Sequence, residues 1–203
     1  SGDSACAIPP FSLSKEMISE IKESTIKLAK ALEVKGLMNV QYAVKGEKLY
    51  VIEVNPRASR TVPFVAKAKG ISMAKIASLL MVGNKLSSFN LKDEDKPHYS
   101  IKEAVFPFAR FSDIDTVLGP EMKSTGEVMG IDKNFYGAFA KAQIAAGNHI
   151  PSLGNVIISV YDEDKEDFIE LAKTLENCGY NLFATKGTAK FFEDNGIKKI
   201  TPV

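Results

Sequence analysis

The stretch LMNVQYAVKGEKLYVIEVNPRASR (37–60) decides how the chain is read. Two runs of strand-forming residues, LMNVQYAV (37–44) and KLYVIEV (48–54), flank Lys45-Gly46-Glu47. β-Branched and aromatic residues suit a pleated sheet, and a glycine between two such runs marks a hairpin. Asn55-Pro56 closes the second run, since proline offers no N–H to a ladder. Side chains two apart on a strand share a face, so Glu53 and Asn55 point the same way. The face of Gln41 depends on the loop. A three-residue loop, 45–47, pairs Val44 with Lys48 and sets Gln41 opposite Val51, diagonal to Glu53 and on its face. A two- or four-residue loop turns Gln41 away.

On the three-residue expectation, one face presents a carboxylate and two amide oxygens. Hard oxygen donors without sulfur or imidazole suit Mg²⁺ or Mn²⁺, and Mg²⁺ completes its octahedron with water and substrate phosphates. Arg57 and Arg60 follow at once, and a guanidinium fork matches phosphate oxygens. Metal ligands followed by arginines are what phosphoryl transfer from a nucleoside triphosphate needs, because cations there meet the charge on the moving group. The same residues also fit a solvent-facing hairpin and an ordinary Asn-Pro-Arg turn, and the pattern alone leaves both readings open.

Outward from the hairpin, Ser14 is placed to cap a helix running to about Val34. Ile18, Ile21, Thr25, Leu28, Ala29 and Leu32 form its apolar stripe and Gly36 its stop. Pro63 and Gly70 read as loop. Ser72 is expected to cap a helix to about Val82. Residues 84–100 read as a surface connection, 101–108 as a strand, 111–130 as turns without a clear period, and 134–146 as a helix. GNHIPSLGN (147–155) is the best linker. Beyond it the pattern becomes strand (155–160), helix (165–178), strand (180–184), tight loop TKGT (185–188) and short helix (188–195), which implies a parallel sheet. The fold class is α/β: an α+β unit with an antiparallel sheet, then an incomplete Rossmann-like parallel α/β domain.

TKGT lies between a strand and a helix start. Thr185 and Thr188 offer hydroxyls, Gly187 allows close backbone approach, and a helix N-terminus supplies free amides. Lys165 adds a cation if its side chain turns toward the loop. A capping threonine in an ordinary loop is the alternative.

With 26 Lys and Arg against 25 Asp and Glu, the net charge is +1. No basic field exists to hold a nucleic-acid backbone. No apolar run approaches a membrane span, and no signal peptide is visible. Cys6 and Cys178 form no ligand set, and His98 and His149 sit in polar, loop-like stretches, so zinc or triad chemistry has little support.

NVQYAV (39–44), IEVNPRASRTVPF (52–64) and LGPEMKSTGEVMG (118–130) together, in this order, closely resemble the ATP-grasp synthetase units of the carbamoyl-phosphate synthase large subunit. The resemblance covers essentially the whole chain. It implies an ATP-grasp C-terminal subdomain at 1–83, the remainder of the carbamoyl-phosphate synthetic domain at 84–148, and a truncated methylglyoxal-synthase-like allosteric domain at 149–203. It implies Gln41, Glu53 and Asn55 as divalent-metal ligands. Arg57 and Arg60 would lie beside the transferred phosphate and carbamate, and Ser1, with Gln41 and Glu53, near the nucleotide. It further implies Lys165, Thr185 and Thr188 as the seat of an effector phosphate. The implied activity is ATP- and Mg²⁺- or Mn²⁺-dependent phosphorylation of carbamate, in the cytoplasm, serving arginine and pyrimidine synthesis. The implied partners are a glutaminase small subunit and an allosteric nucleotide, with neither nucleic acid nor membrane. The glycine-rich lid and adenine-contacting strands would precede Ser1, so the chain alone is expected to be inactive. A non-catalytic phosphate-binding regulatory module, or another ATP-grasp carboxylate ligase, remains the alternative. The role of 117–130 does not follow from the sequence.

Overall fold

The computed structural model describes residues 2–92, 96–108, 115–149 and 151–203. The chain divides into two compact units, Ser1–His149 and Ile150–Val203.

In the first unit, β1 (Cys6–Ile8), β4 (Tyr99–Val105) and β5 (Gly126–Asp132) form an antiparallel sheet in the order β1-β4-β5. Helix α4 (Phe135–Ala145) packs on one face through Ala138 and Ala142, both fully buried against Ile101. Its N-cap is Asn134, whose side-chain oxygen accepts the Gly137 N–H at 2.7 Å. Neither β1 nor β5 is expected from the sequence. β1 is three residues long, and β5 carries Gly126 and Gly130, which read as turns. Gly130 has a packing reason: a Cβ there would drive into the backbone of α4 at Ala138 and Ala142.

The second sheet of this unit is the hairpin of β2 (Asn39–Lys45) and β3 (Lys48–Asn55). Helix α1 (Lys15–Ala31) packs near it, with the Thr25 and Tyr42 hydroxyls 2.8 Å apart. Ser14 caps α1 by accepting the Met17 N–H at 3.1 Å. The helix ends at Ala31, earlier than expected, because Glu33 takes a left-handed conformation (φ 49°) two residues later. Leu32, assigned to the apolar stripe, is half exposed. Pro63 and Gly70 do not make a loop. They start and stop α2 (Val62–Lys69): proline is at home in a first turn, and Gly70 ends the helix at φ 70°. Helix α3 (Met73–Met81) follows.

The second unit is a three-stranded parallel sheet, β6 (Asn155–Ile158), β7 (Asn181–Ala184) and β8 (Ile200–Pro202), in sequence order. α5 (Ile169–Asn177) and α6 (Lys186–Asp194) are its crossover helices. α5 begins later than the expected Lys165, after a 3-10 turn at Asp162–Asp164, and Leu171 is exposed rather than inward. α6 begins two residues before the expected Thr188. Its core is Leu182, Ala184, Phe192, Ile197 and Ala172, each no more than 1% exposed. By the usual area relation, each large side chain removed from water there contributes about 1.5–3 kcal/mol.

Candidate functional site

The hairpin loop is two residues, Gly46-Glu47, with Lys45 paired to Lys48. Gly46 has φ 60°, the conformation a glycine supplies at the first central position of a primed turn. The expected pairing of Val44 with Lys48 is therefore wrong, since Val44 faces Leu49. With that loop alone Gln41 would turn away from Glu53. It does not, because the register shifts between Gln41 and Tyr42: Tyr42 pairs with Val51, and Gln41 pairs with Glu53. Ile52 is the extra residue of a β-bulge. One bulged residue reverses the alternation of β3 relative to β2. Asn39, Gln41, Glu53 and Asn55 thus share one face, with Asn39 opposite Asn55.

Asn39, Gln41, Glu53, Arg57 and Arg60 line one cavity of about 270 Å³, with Met122 also in its wall. Asn55 shares their sheet face but is not in that wall; its carbonyl accepts the Arg57 N–H at 2.8 Å, which tightens the Asn-Pro-Arg turn. Arg60 is anchored from far along the chain. Its Nη1 donates to Met122 Sδ, to the Ser124 carbonyl at 3.4 Å and to Ser124 Oγ at 3.3 Å. Ser124 is 7% exposed. It is held in turn by Asp3, which accepts the Lys123 N–H at 2.8 Å and the Ser124 N–H at 2.9 Å. Hydrogen bonds from the Ser124 side chain, then from the Lys123 backbone, hold the Asp3 carboxyl below the ordinary carboxylate value; slight burial opposes them.

The segment whose role the sequence left open therefore braces Arg60. Arg60 also lines a larger cavity of about 620 Å³ with Phe64 and Glu127. Behind Glu127 lies Lys102, 1% exposed and 3.3 Å from its carboxylate. Asn39 lies two residues before Gln41, so the i, i+2 rule could have found it. Met122, Ser124 and Asp3 left no local signal. Ser1 lies outside the described residues.

Among the described residues, no group of three or more His, Cys, Asp or Glu side chains is placed to hold a metal ion. A cation at the hairpin would rest on one carboxylate and amide oxygens. That donor set fits Mg²⁺ or Mn²⁺, which retain water and phosphate ligands, and does not fit zinc.

In the second unit, Thr185 is the N-cap residue of α6, and Lys186-Gly187-Thr188 is its first turn. Thr185 Oγ1 donates to Thr188 Oγ1 at 3.0 Å. Lys165 does turn toward this loop: its Nζ would stand 4.0 Å from a Cβ on Gly187 and lies 5.8 Å from the centre of the Phe191 ring. The three residues singled out in the sequence meet at one helix start.

Comparison with known proteins bears on both units. Residues 1–89 match the family model described as carbamoyl-phosphate synthase L chain, ATP binding domain, and residues 167–203 match the MGS-like domain. The carbamoyl phosphate synthase large chain, C-terminal section, of Aquifex aeolicus is 52% identical over 97% of this chain. The chain is similar to carbamoyl-phosphate synthase large chains along nearly its whole length. The Pasteurella multocida large chain is 55% identical, again over 97% of this chain. The chain spans 40% of the Aquifex protein and 18% of the Pasteurella one. A solved single-chain, multi-domain long-chain acyl-CoA carboxylase shares the fold over 70% of this chain and 18% of its own, with a TM-score of 0.54 at 18% identity. Among the described residues, no helix is long and apolar enough to cross a membrane.

Proposed function

We propose that this chain supplies the metal-binding half of an ATP-grasp site that forms carbamoyl phosphate from carbamate and ATP in a carbamoyl-phosphate synthase large chain. The observation that carries this reading is the pairing of Gln41 directly with Glu53 across the bulged hairpin, on the wall of the cavity that Arg57 and Arg60 also line. Gln41 and Glu53, with Asn55 at the next same-face position, hold Mg²⁺ or Mn²⁺. The bound ion, with ATP, supplies charge neutralisation at the phosphates. Glu53 carries the one negative charge of the set. Gln41 and Asn55 add neutral oxygens, so the cation keeps enough net charge to meet the nucleotide. Arg57 and Arg60 orient the transferred phosphoryl group and the carbamate, and offset the charge that builds on the phosphoryl oxygens. Ser124 and Asp3 keep the Arg60 guanidinium aimed.

Residues 84–148 complete the synthetic domain, and 149–203 form an allosteric domain. There Lys165, Thr185 and Thr188 seat the phosphate of a nucleotide effector. The partner in this reading is a glutaminase small subunit, and the location is the cytoplasm.

The test is Glu53→Gln in a large chain carrying this sequence. Glu53 is exposed, so the fold should stand. Carbamoyl-phosphate formation from ATP and carbamate should fall by at least about 100-fold, since even outer-shell ligand partners cost roughly 10–100-fold. Unchanged activity would remove Glu53 as a ligand.

A further inference from the structure

The reading of Lys165, Thr185 and Thr188 as an anion seat leaves open what controls it, and the inference here rests on that reading. Lys165 is 8% exposed. A buried ammonium needs a counter-charge. Its partner is Asp162, three residues earlier, with Nζ 2.5 Å from Oδ1. The two ends of the pair are unlike: the Lys165 side chain is 10% exposed and that of Asp162 92%. The ammonium is confined by the Phe191 ring and the first turn of α6. The carboxylate reaches in from solvent, on the short 3-10 turn Asp162–Asp164. Rotating it outward returns it to water at little cost, whereas the cation has nowhere to go.

We infer that Asp162 is a resident competitor, whose carboxylate occupies the Lys165 ammonium until a doubly charged phosphate group displaces it. The consequence is a choice of ligand class. A monoanion that replaces the carboxylate exchanges one unit of charge for another. A phosphate monoester brings about −1.5 to −2 charges and three acceptor oxygens at neutral pH. That is enough to take Lys165, the Thr185 and Thr188 hydroxyls and the free amides of the α6 N-terminus together. The seat therefore selects terminal phosphate monoesters over phosphodiesters and carboxylates, and the exchange keeps the buried cation paired throughout.

The experiment is calorimetric titration of inorganic phosphate into the whole chain at constant ionic strength, comparing wild type with Asp162→Asn and Asp164→Asn. Asp164 lies on the same turn and loses the same charge, so it reports the through-space effect alone. Asp162→Asn should tighten phosphate binding by about fivefold, the scale of a partly exposed ion pair, and Asp164→Asn by less than about twofold. If wild type binds phosphate and Asp162→Asn binds no more tightly than Asp164→Asn, the competitor role is overturned and the anion seat stands. Phosphate binding by none of the three chains would remove the seat, and the inference with it.

Discussion

At the hairpin cavity the charged groups Glu53, Arg57 and Arg60 are exposed; at the head of α6 the cation, Lys165, is buried with Thr188 behind it. The contrast extends to the surroundings. Tyr50, Val51 and Ile52 on β3 are 46–62% exposed, while Phe192, one turn beyond Thr188, is fully buried. The hairpin site is made by register. Asn39, Gln41, Glu53 and Asn55 converge because backbone pairing puts them on one face of an exposed hairpin. The α6 site is made by packing, because a closed core fixes the helix start against the Lys165 ammonium. Changes to backbone spacing should therefore damage the first site, and changes to core volume the second.

The largest expected effect tests the packed side. Phe192→Ala should destabilise the second unit by about 3–5 kcal/mol, and Tyr50→Ala should stay within about 0.5 kcal/mol. Denaturant unfolding followed by circular dichroism reads both, and equal costs would erase the contrast. Deleting Val54 tests the register side. It sets Glu53 next to Asn55 in sequence, and adjacent strand residues face opposite ways, so Mn²⁺ affinity should fall about 10–100-fold. Deleting Ile52 removes the bulge but leaves Gln41 opposite Glu53, and should keep that affinity. Retained affinity on loss of Val54 would mean that register does not build the site. A smaller change is Asn134→Ala, which removes the cap of α4 and should cost about 1 kcal/mol in thermal unfolding, leaving metal affinity at the hairpin as it was.

The smallest effect is a titration. Asp3 is held below the ordinary carboxylate value, first by Ser124 and then by Lys123. Its contribution to the folded state is present above the unfolded pKa and is lost as pH falls through the lowered folded value. The Lys123 and Ser124 amide shifts should titrate with a midpoint below that of a free aspartate. Asp3→Asn should abolish the step, and a midpoint at or above the ordinary value would break the Asp3–Ser124–Arg60 chain of support.

Local signals located elements well where they were chemical. Ser14 and Asn134 sit at helix starts because their side-chain oxygens accept amides the helix leaves free. Lys165, Thr185 and Thr188 were legible because strand, loop and helix follow at short range. Pro63 and Gly70 misled because each breaks a helix interior yet suits a helix end. β8 and β1 were hidden by their shortness, and β5 by glycines that exist for its contact with α4.

The sequence by itself determined the candidate donors: a carboxylate and amides at two-residue spacing, two arginines after them, and a second unit of alternating strands and helices. Those follow from residue type and from periods of two and 3.6, which are local properties of the chain. Only the tertiary structure decided that Gln41 meets Glu53, through a bulge at Ile52 that offsets a loop of the other parity. It also decided that Arg60 is aimed by Ser124, 64 residues on, and Ser124 by Asp3, 121 residues before it. Register and long-range contacts depend on which surfaces pack, and no local pattern encodes that.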